Sequence, residues 1–243
     1  MASLDTEAAS PAALVYRETI SLAGGNSGTL IALHGNGGDS HQLKPLLRRL
    51  NLPLTAIAPQ APRTLNPHGY LHGDRGFAWY FAHSIGHPEA ATFGDCLWQL
   101  EQFIYDIHER EGRAGPLFLL GHDQGAVLAV TLAGFVPEYL CGVAVIAGYL
   151  PKIQGCSCSP RRMHDLPLLF IHDPDSVESP AQLVRESAKL FAERAASVEL
   201  VEIAGAHQNP LRADDPLQSW FHRTLRVGPV TSCAIRPADA NSG

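Results

Sequence analysis

Pro116-Leu-Phe-Leu-Leu-Gly-His-Asp-Gln-Gly125 is the stretch of this 243-residue chain that is most specific for a fold. Its first five residues are apolar and predict a buried strand, after which Gly121 and Gly125 bracket Asp123. Two glycines so spaced allow a sharp turn from a strand into a helix, which leaves the central side chain exposed above the sheet. The apolar segment 126–136 fits the buried helix that such a turn opens. Asp123 is therefore predicted to occupy a nucleophile elbow, where serine is the usual residue.

The composition predicts a single globular domain. Hydrophobic residues make up 45% of the chain and charged residues 17%, which is enough apolar side chain for a sizeable core. We expect one domain over residues 1–226 and a disordered tail over 227–243, where Pro, Ser, Ala, Asp and Asn occur without periodicity.

Net charge and hydropathy indicate which binding partners and which cellular location to expect. The net charge of −6 gives no electrostatic reason to expect a nucleic-acid partner. The longest apolar stretches are shorter than the roughly 20 residues that a membrane span needs. No signal peptide is visible, so the expected location is the cytoplasm. The sequence predicts no particular oligomeric state.

Strand-like and helix-like segments alternate, which predicts an α/β fold with a mostly parallel central sheet and helices on both faces. The predicted strands are 13–22, 29–34, 54–59, 116–121, 142–147, 167–172 and 197–203. The predicted helices are 41–50, 91–111, 124–136, 180–195 and 216–224. Residues 59–88 are too many for a plain connection and predict a functional loop over the site.

An acid and a histidine follow later strands. Asp175 comes just after the predicted strand 167–172, and His207 comes just after the strand 197–203. The chain order nucleophile, acid, histidine is that of α/β-hydrolases. Histidine takes and gives a proton near neutral pH, and the acid fixes its tautomer and stabilises the imidazolium. Asp173 is the alternative acid, and Asp175 is preferred because of its position directly before Ser176.

An oxyanion hole is predicted from residues 33–39, Leu-His-Gly-Asn-Gly-Gly-Asp. A His-Gly turn after an early strand commonly presents a backbone N–H to the nucleophile, and the residue after the nucleophile supplies a second one. The predicted donors are therefore the amides of Asn36 and Gln124. A phosphate-binding loop is disfavoured, because the glycine spacing matches no nucleotide fingerprint.

No metal and no cofactor are predicted. Cys156, Cys158 and His164 lie close together in sequence, but a structural zinc site usually has four ligands. The predicted site already supplies a carboxylate, a proton shuttle and oxyanion donors, so no function is left for a cofactor.

Taken together, these motifs resemble the phospholipase/carboxylesterase family, which includes acyl-protein thioesterases and small bacterial carboxylesterases. The resemblance runs from about residue 29 to residue 211 and rests on motifs in a specific order: Leu-His-Gly-Asn-Gly-Gly-Asp at 33–39, Ala-Pro-Gln-Ala-Pro at 58–62, Thr-Leu-Asn at 64–66, Ala-Trp-Tyr at 78–80, Gly-His-Asp-Gln-Gly-Ala at 121–126, Asp-Ser-Val at 175–177 and Gly-Ala-His at 205–207. The resemblance implies an α/β-hydrolase fold without a large cap domain, acting on esters or thioesters. It also implies that Trp79 and its neighbours line the acyl site. A hydrophobic small-molecule substrate is indicated by four aromatic residues, Trp79, Tyr80, Phe81 and Tyr70.

Asp123 departs from this family, because a carboxylate that attacks an ester carbonyl forms an anhydride and offers His207 no proton to remove. Phe81 also replaces an acid that usually follows the aromatic pair, which makes the predicted pocket more apolar. Aspartate at the elbow resembles the nucleophile of haloalkane dehalogenases and epoxide hydrolases. In those enzymes it attacks an sp³ carbon and forms an alkyl ester, which histidine-activated water hydrolyses.

Three interpretations remain open from the sequence. The preferred one is a hydrolase in which Asp123, His207 and Asp175 form a triad, with Asp123 as the nucleophile or as a general base. The second is a non-hydrolytic isomerase, lyase or cyclase, in which Asp123 and His207 move protons. The third is a binding protein, or a serine esterase whose nucleophile has been replaced.

Overall fold

A computed structural model describes residues 5–9, 14–19, 28–65, 76–109, 115–153, 159–163, 165–194 and 196–227. The strands are β1 (Asp5–Ala9), β2 (Val15–Thr19), β3 (Thr29–Leu33), β4 (Thr55–Pro59), β5 (Arg63–Thr64), β6 (Phe77–Ala78), β7 (Ala82–Ser84), β8 (His87–Pro88), β9 (Leu117–His122), β10 (Gly142–Ile146), β11 (Pro167–His172) and β12 (Ser197–Glu202). The helices are α1 (Lys44–Leu50), α2 (Ala90–Glu109), α3 (Gln124–Phe135), α4 (Ala181–Glu193) and α5 (Asp214–Val227), with 3₁₀ turns at Pro137–Tyr139 and Pro210–Ala213.

Eight strands form the central sheet in the order β1-β2-β4-β3-β9-β10-β11-β12. The six strands from β4 to β12 in this order are parallel, and β1 and β2 add an antiparallel edge. All six residues of β9 are buried, as expected for a central strand that is covered on both faces. The predicted α/β-hydrolase fold, with a mostly parallel sheet, is confirmed. Each predicted strand and helix coincides with an observed one.

Helices cover both faces of the sheet. Alternate residues of β3 face opposite sides of the sheet. Ile31 and Leu33 pack in one apolar cluster, and Leu30 and Ala32 pack in the other. The first cluster includes the buried faces of α2, α3 and α4, and the second includes those of α1 and α5. The ten consecutive buried residues 125–134 of α3 make it the most enclosed of these helices.

Residues 59–88 contain two short antiparallel pairs outside the main sheet, β5 with β6 and β7 with β8. Residues 66–75 of this loop lie outside the described part of the chain, and no large cap domain is present in the part that is described. Within the described residues, no helix is long and apolar enough to cross a membrane. The predicted tail falls, except for its first residue, outside the described residues, and the predicted domain limits stay a prediction.

Candidate active site

Asp123 occupies the turn between β9 and α3, at the carboxyl edge of the sheet. Its backbone angles, φ 50° and ψ −118°, lie in a region that residues with a Cβ rarely adopt. The flanking glycines have no room for a side chain, because a Cβ on Gly121 would lie 2.5 Å from the Cα of Ala126 and one on Gly125 would overlap the carbonyl of Leu33. The glycines thus let α3 pack directly on the sheet, and this close packing holds Asp123 in its strained conformation.

The two carboxylate oxygens of Asp123 have different partners. Oδ2 accepts a hydrogen bond of 2.8 Å from the backbone N–H of Asn36. Oδ1 lies 3.7 Å from Nε2 of His207, a distance typical of an ion pair, and the Asp123 side chain keeps 23% of its surface exposed. The structure therefore brings three of the predicted site residues together in one place.

The charges of this pair reinforce each other. Burial opposes ionisation of Asp123, but His207 and the Asn36 amide outweigh burial and lower the pKa of the carboxyl group. The Asp123 carboxylate in turn raises the pKa of His207, against the opposing effect of burial. The pair therefore favours a carboxylate beside an imidazolium.

The other ring nitrogen of His207 does not face Asp175. Nδ1 lies 2.9 Å from Oγ of Ser176 and 3.5 Å from Oε2 of Glu178. Asp175 is exposed, and no contact within the described residues joins its side chain to His207. The structure thus leaves the preferred acid apart from the ring and brings Ser176 and Glu178 to it, two residues that the sequence reasoning missed.

Asp173, the alternative acid, is buried and binds backbone amides. One oxygen accepts from the N–H of Asp175, and the other accepts from the N–H of His207, each at 3.2 Å. Burial opposes ionisation here too, but these amides and that of Gly205 outweigh it and lower the pKa of Asp173. Asp173 therefore holds the loop after β11 against the loop that carries His207.

His122 fixes the same histidine loop from the strand side. The ring of His122 is buried, and its Nε2 lies 2.7 Å from the carbonyl oxygen of His207. Because a carbonyl oxygen only accepts, the N–H at Nε2 is the donor of this hydrogen bond. Burial lowers the pKa of His122, which keeps the ring neutral. Gly35 leaves the necessary space, because a Cβ there would lie 2.8 Å from Nδ1 of His122.

Gln124 contributes in two ways. As the first residue of α3, its backbone N–H belongs to the turn whose amides have no partner within the helix, as the oxyanion prediction requires. Its side chain accepts a hydrogen bond of 3.0 Å from the backbone N–H of Trp79 and donates another of 3.0 Å to the backbone carbonyl of Tyr80. The sequence reasoning missed this second contact, which fixes the aromatic segment next to the elbow.

The predicted aromatic residues occupy different environments. Trp79 is fully buried, and its indole N–H donates to the carbonyl of His34 at 2.8 Å. Tyr80 is buried against Phe93, and burial together with the nearby Asp123 charge raises its pKa. Phe81 is half-exposed, and Tyr70 lies outside the described residues.

Tyr149, which the sequence did not single out, is a second buried tyrosine near the carboxylate. Burial raises its pKa, and the charge of Asp123 adds to this effect. Tyr80 and Tyr149 therefore both lie near Asp123, whereas Trp79 packs behind the site.

The described part of the chain contains no group of three His, Cys, Asp or Glu side chains that could hold a metal ion. Cys156, Cys158 and His164 lie outside the described residues. The absence of a metal and of a cofactor stays a prediction.

Comparison with solved structures agrees with the fold described above. Among solved structures, a carboxylesterase from Mesorhizobium loti is 21% identical with a TM-score of 0.71, covering 90% of this chain and 98% of that one. A Bacillus cereus carboxylesterase is 13% identical with a TM-score of 0.71, covering 88% and 96%. SOBER1 of Arabidopsis thaliana is 20% identical with a TM-score of 0.66, covering 82% and 99%. At these identities the likeness shows the fold.

The family follows from the sequence comparison. No curated protein matches the chain. The model of the phospholipase/carboxylesterase family, however, matches residues 15–213, which is most of the chain and includes every described residue of the site. This protein therefore belongs to the phospholipase/carboxylesterase family of α/β-hydrolases.

Proposed function

We propose that this protein is a hydrolase in which Asp123 attacks an sp³ carbon of a hydrophobic small molecule and His207 activates the water that cleaves the resulting ester. The observation that carries the proposal is the unequal environment of the two carboxylate oxygens. Oδ2 accepts a hydrogen bond of 2.8 Å from the Asn36 amide, whereas Oδ1 has only the longer contact of 3.7 Å with Nε2 of His207. One oxygen is thus hydrogen-bonded to a predicted oxyanion donor, and the other is the one we propose forms the bond to the substrate.

In the first step, Oδ1 of the ionised Asp123 forms a C–O bond, and the leaving group departs with the electron pair of the bond that breaks. The lowered pKa of Asp123 keeps this nucleophile ionised at neutral pH. An epoxide oxygen takes up a proton as it leaves, and the imidazolium of His207 is the charged acid nearest to Oδ1. A halide needs no proton, and His207 then releases its proton to water.

Esterification removes the main cause of the raised pKa of His207, which is the Asp123 carboxylate. The pKa therefore falls, and the neutral imidazole can act as a base. His207 removes a proton from water, and the water oxygen attacks Cγ of Asp123. The negative charge that develops on Oδ2 is stabilised by the amide of Asn36, with that of Gln124 as the second donor. Collapse breaks the bond from Cγ to Oδ1, and the product alcohol leaves with Oδ1 and a proton from His207.

The same pKa shift argues against the alternatives in which Asp123 moves a proton. A general base works best when its pKa lies near the working pH, and the pKa of Asp123 is lowered from an already low value of 3.8. This disfavours both activation of water by Asp123 and proton abstraction in an isomerase, lyase or cyclase. Attack on a carbonyl, as in a serine esterase, is disfavoured because it produces an anhydride.

Isotope labelling tests the proposal directly. Excess enzyme is allowed a single turnover of styrene oxide or bromohexane in heavy-oxygen water, and the peptides are then analysed by mass spectrometry. We expect one heavy oxygen in the peptide that contains Asp123, because the water oxygen stays in the carboxylate. The peptide with Asp173 and Asp175 is the internal control and should carry none.

Two results would contradict the proposal. Label in the product alone would show that water attacked the substrate itself. Hydrolysis that continues at the wild-type rate in Asp123→Asn would show that this carboxylate takes no part in the reaction.

A further inference from the structure

A groove of about 600 Å³ opens between the β7–β8 hairpin and the segment that follows β10. This is within the range of small-molecule sites, about 300–1,000 Å³. Polar and apolar residues both line the groove, among them His83, Ser84, His87, Lys152, Pro88 and Ile153. The mechanism proposed above assigns no role to any of them.

The polar lining consists of hydrogen-bond donors and lacks carboxylates. Lys152 is exposed, and no ion pair within the described residues involves it. His83 and His87 add imidazoles, each of which offers an N–H donor even when neutral. Ser84 adds a hydroxyl group. In a chain with a net charge of −6, a groove lined in this way favours a negative group.

Hydrogen bonds hold the two walls of the groove together. The N–H of Lys152 donates to the carbonyl of Gly86 at 2.9 Å, and the N–H of Gly86 donates to the hydroxyl of Tyr149 at 3.1 Å. Gly86 has φ 78°, which suits the turn between β7 and β8. The groove is therefore preformed and does not require a ligand to order the hairpin.

Both walls are close in sequence to tyrosines whose pKa the Asp123 charge raises. Lys152 follows Tyr149 by three residues, and His83 follows Tyr80 by three residues. Consecutive Cα atoms are 3.80 Å apart, so the groove begins within about 11 Å of the two tyrosines that lie near Asp123. An extended small molecule spans a separation of this size.

We infer that this groove binds the anionic head group, a carboxylate or a phosphate, of an amphiphilic substrate whose apolar part extends past Tyr80 and Tyr149 to Asp123. The inference rests on the proposed function for the reaction at the apolar end. Lys152 is the residue that determines specificity, because it supplies the full positive charge in the groove. His83 and His87 supply hydrogen bonds to the head group.

Binding of unreactive amphiphiles tests the groove without turnover. The affinities of octanoate, octyl phosphate and octanol are measured by calorimetry for the wild type, Lys152→Met and Lys189→Met. Lys189 is the matched control, because its side chain lies on α4, is 80% exposed and is near Glu193, and it does not line the groove. We expect the wild type and the control to prefer an anionic amphiphile over octanol. In Lys152→Met this preference should fall about tenfold, equivalent to about 1.4 kcal/mol, and Lys152→Arg should retain most of it.

The two anionic probes distinguish the head groups by which of them the wild type binds more tightly. Octanol that binds as tightly as both anions to the wild type would overturn the inference. An equal loss in Lys152→Met and Lys189→Met would also overturn it, since the effect would then be one of overall charge.

A kinetic comparison separates this inference from the proposed reaction. An epoxide that carries a terminal carboxylate is compared with its methyl ester. Lys152→Met should raise KM for the acid about tenfold and leave kcat, as well as both constants for the methyl ester, unchanged. If no label enters Asp123 but the preference for anions is intact, the reaction at Asp123 is refuted and the anion-binding groove is not. If label enters Asp123 but the preference for anions is missing, only the groove is refuted.

Discussion

The strained backbone of Asp123 leads to a prediction that concerns stability as much as catalysis. At φ 50° and ψ −118°, a residue with a Cβ is destabilised by about 1–3 kcal/mol. Asp123→Ala and Asp123→Gly both remove the carboxylate, with its Asn36 hydrogen bond and its His207 ion pair. The difference between the two variants therefore isolates the Cβ.

The magnitude follows from two opposing effects. Glycine relieves the strain at residue 123, but its unfolded chain is more flexible, which destabilises the folded state by about 0.5–1 kcal/mol relative to alanine. The two effects together leave Asp123→Gly more stable than Asp123→Ala by about 0–2.5 kcal/mol, with a central value of about 1 kcal/mol. For a chain of this size, the central value corresponds to a Tm higher by about 2–4 °C.

Urea unfolding and calorimetry of the two variants measure this difference. The same pair of substitutions at Lys189, which is exposed within α4, is the control, and there glycine should be less stable than alanine by about 1 kcal/mol. If alanine at residue 123 proves more stable than glycine, the backbone strain at the elbow is smaller than the cost of the flexible glycine, and the packing of α3 does not hold Asp123 in a strained conformation. Both variants should be inactive, because both lack the carboxylate.

Three further predictions concern the groups around the elbow. Asp123→Ser should create or raise hydrolysis of p-nitrophenyl esters, because His207 gains a hydroxyl proton to remove next to the oxyanion amides; a rate that stays at the uncatalysed level would contradict this. Asp123→Asn should lower the pKa of His207 measured by NMR, because the carboxylate that raises it is lost, and an unchanged pKa would refute the coupling. The pKa of His207 is raised in the folded state. The stability that the Asp123–His207 pair contributes is therefore fully present below the unfolded histidine pKa of 6.5, down to the acid range in which Asp123 protonates. This stability is lost as the pH rises through the folded pKa of His207. Ser176→Ala should lower kcat and shift the pH profile more than Asp175→Asn, because Oγ of Ser176 lies 2.9 Å from Nδ1 of His207 whereas Asp175 is exposed; equal effects would contradict the geometry.

The sheet and the elbow could be predicted because their signals are local in sequence. The uninterrupted apolar run of β9 indicates a strand that is covered on both faces, and the glycines beside Asp123 are required by the packing of α3. The edge strand β1 and the strands β5 to β8 were not predicted. The strands β5 to β8 have only two or three residues each, which is too few for the alternation that marks a strand in a sequence.

The chain order of the motifs predicted which loops meet, but not which side chains touch. Between residues 173 and 179 five residues carry side-chain oxygens, and spacing alone cannot tell which of them faces His207. The loop conformation decides it, because Asp173 binds backbone amides and turns Ser176 toward the ring. Trp79 shows the same limit: its motif predicted nearness to the site, but the hydrogen bond to the carbonyl of His34 draws the indole into the core.

A neutral partner at Nδ1 of His207 agrees with a charged nucleophile at Nε2. In a serine enzyme the nucleophile is neutral, so a carboxylate beside the histidine is needed to stabilise the imidazolium. Here Asp123 itself supplies that negative charge until it is esterified, and its charge then disappears at the step at which His207 must become a base. A second buried carboxylate at Nδ1 would keep the pKa of the ring high and delay that change. Ser176 adds no charge, and Glu178 and Asp173 raise the pKa of the ring less than Asp123 does.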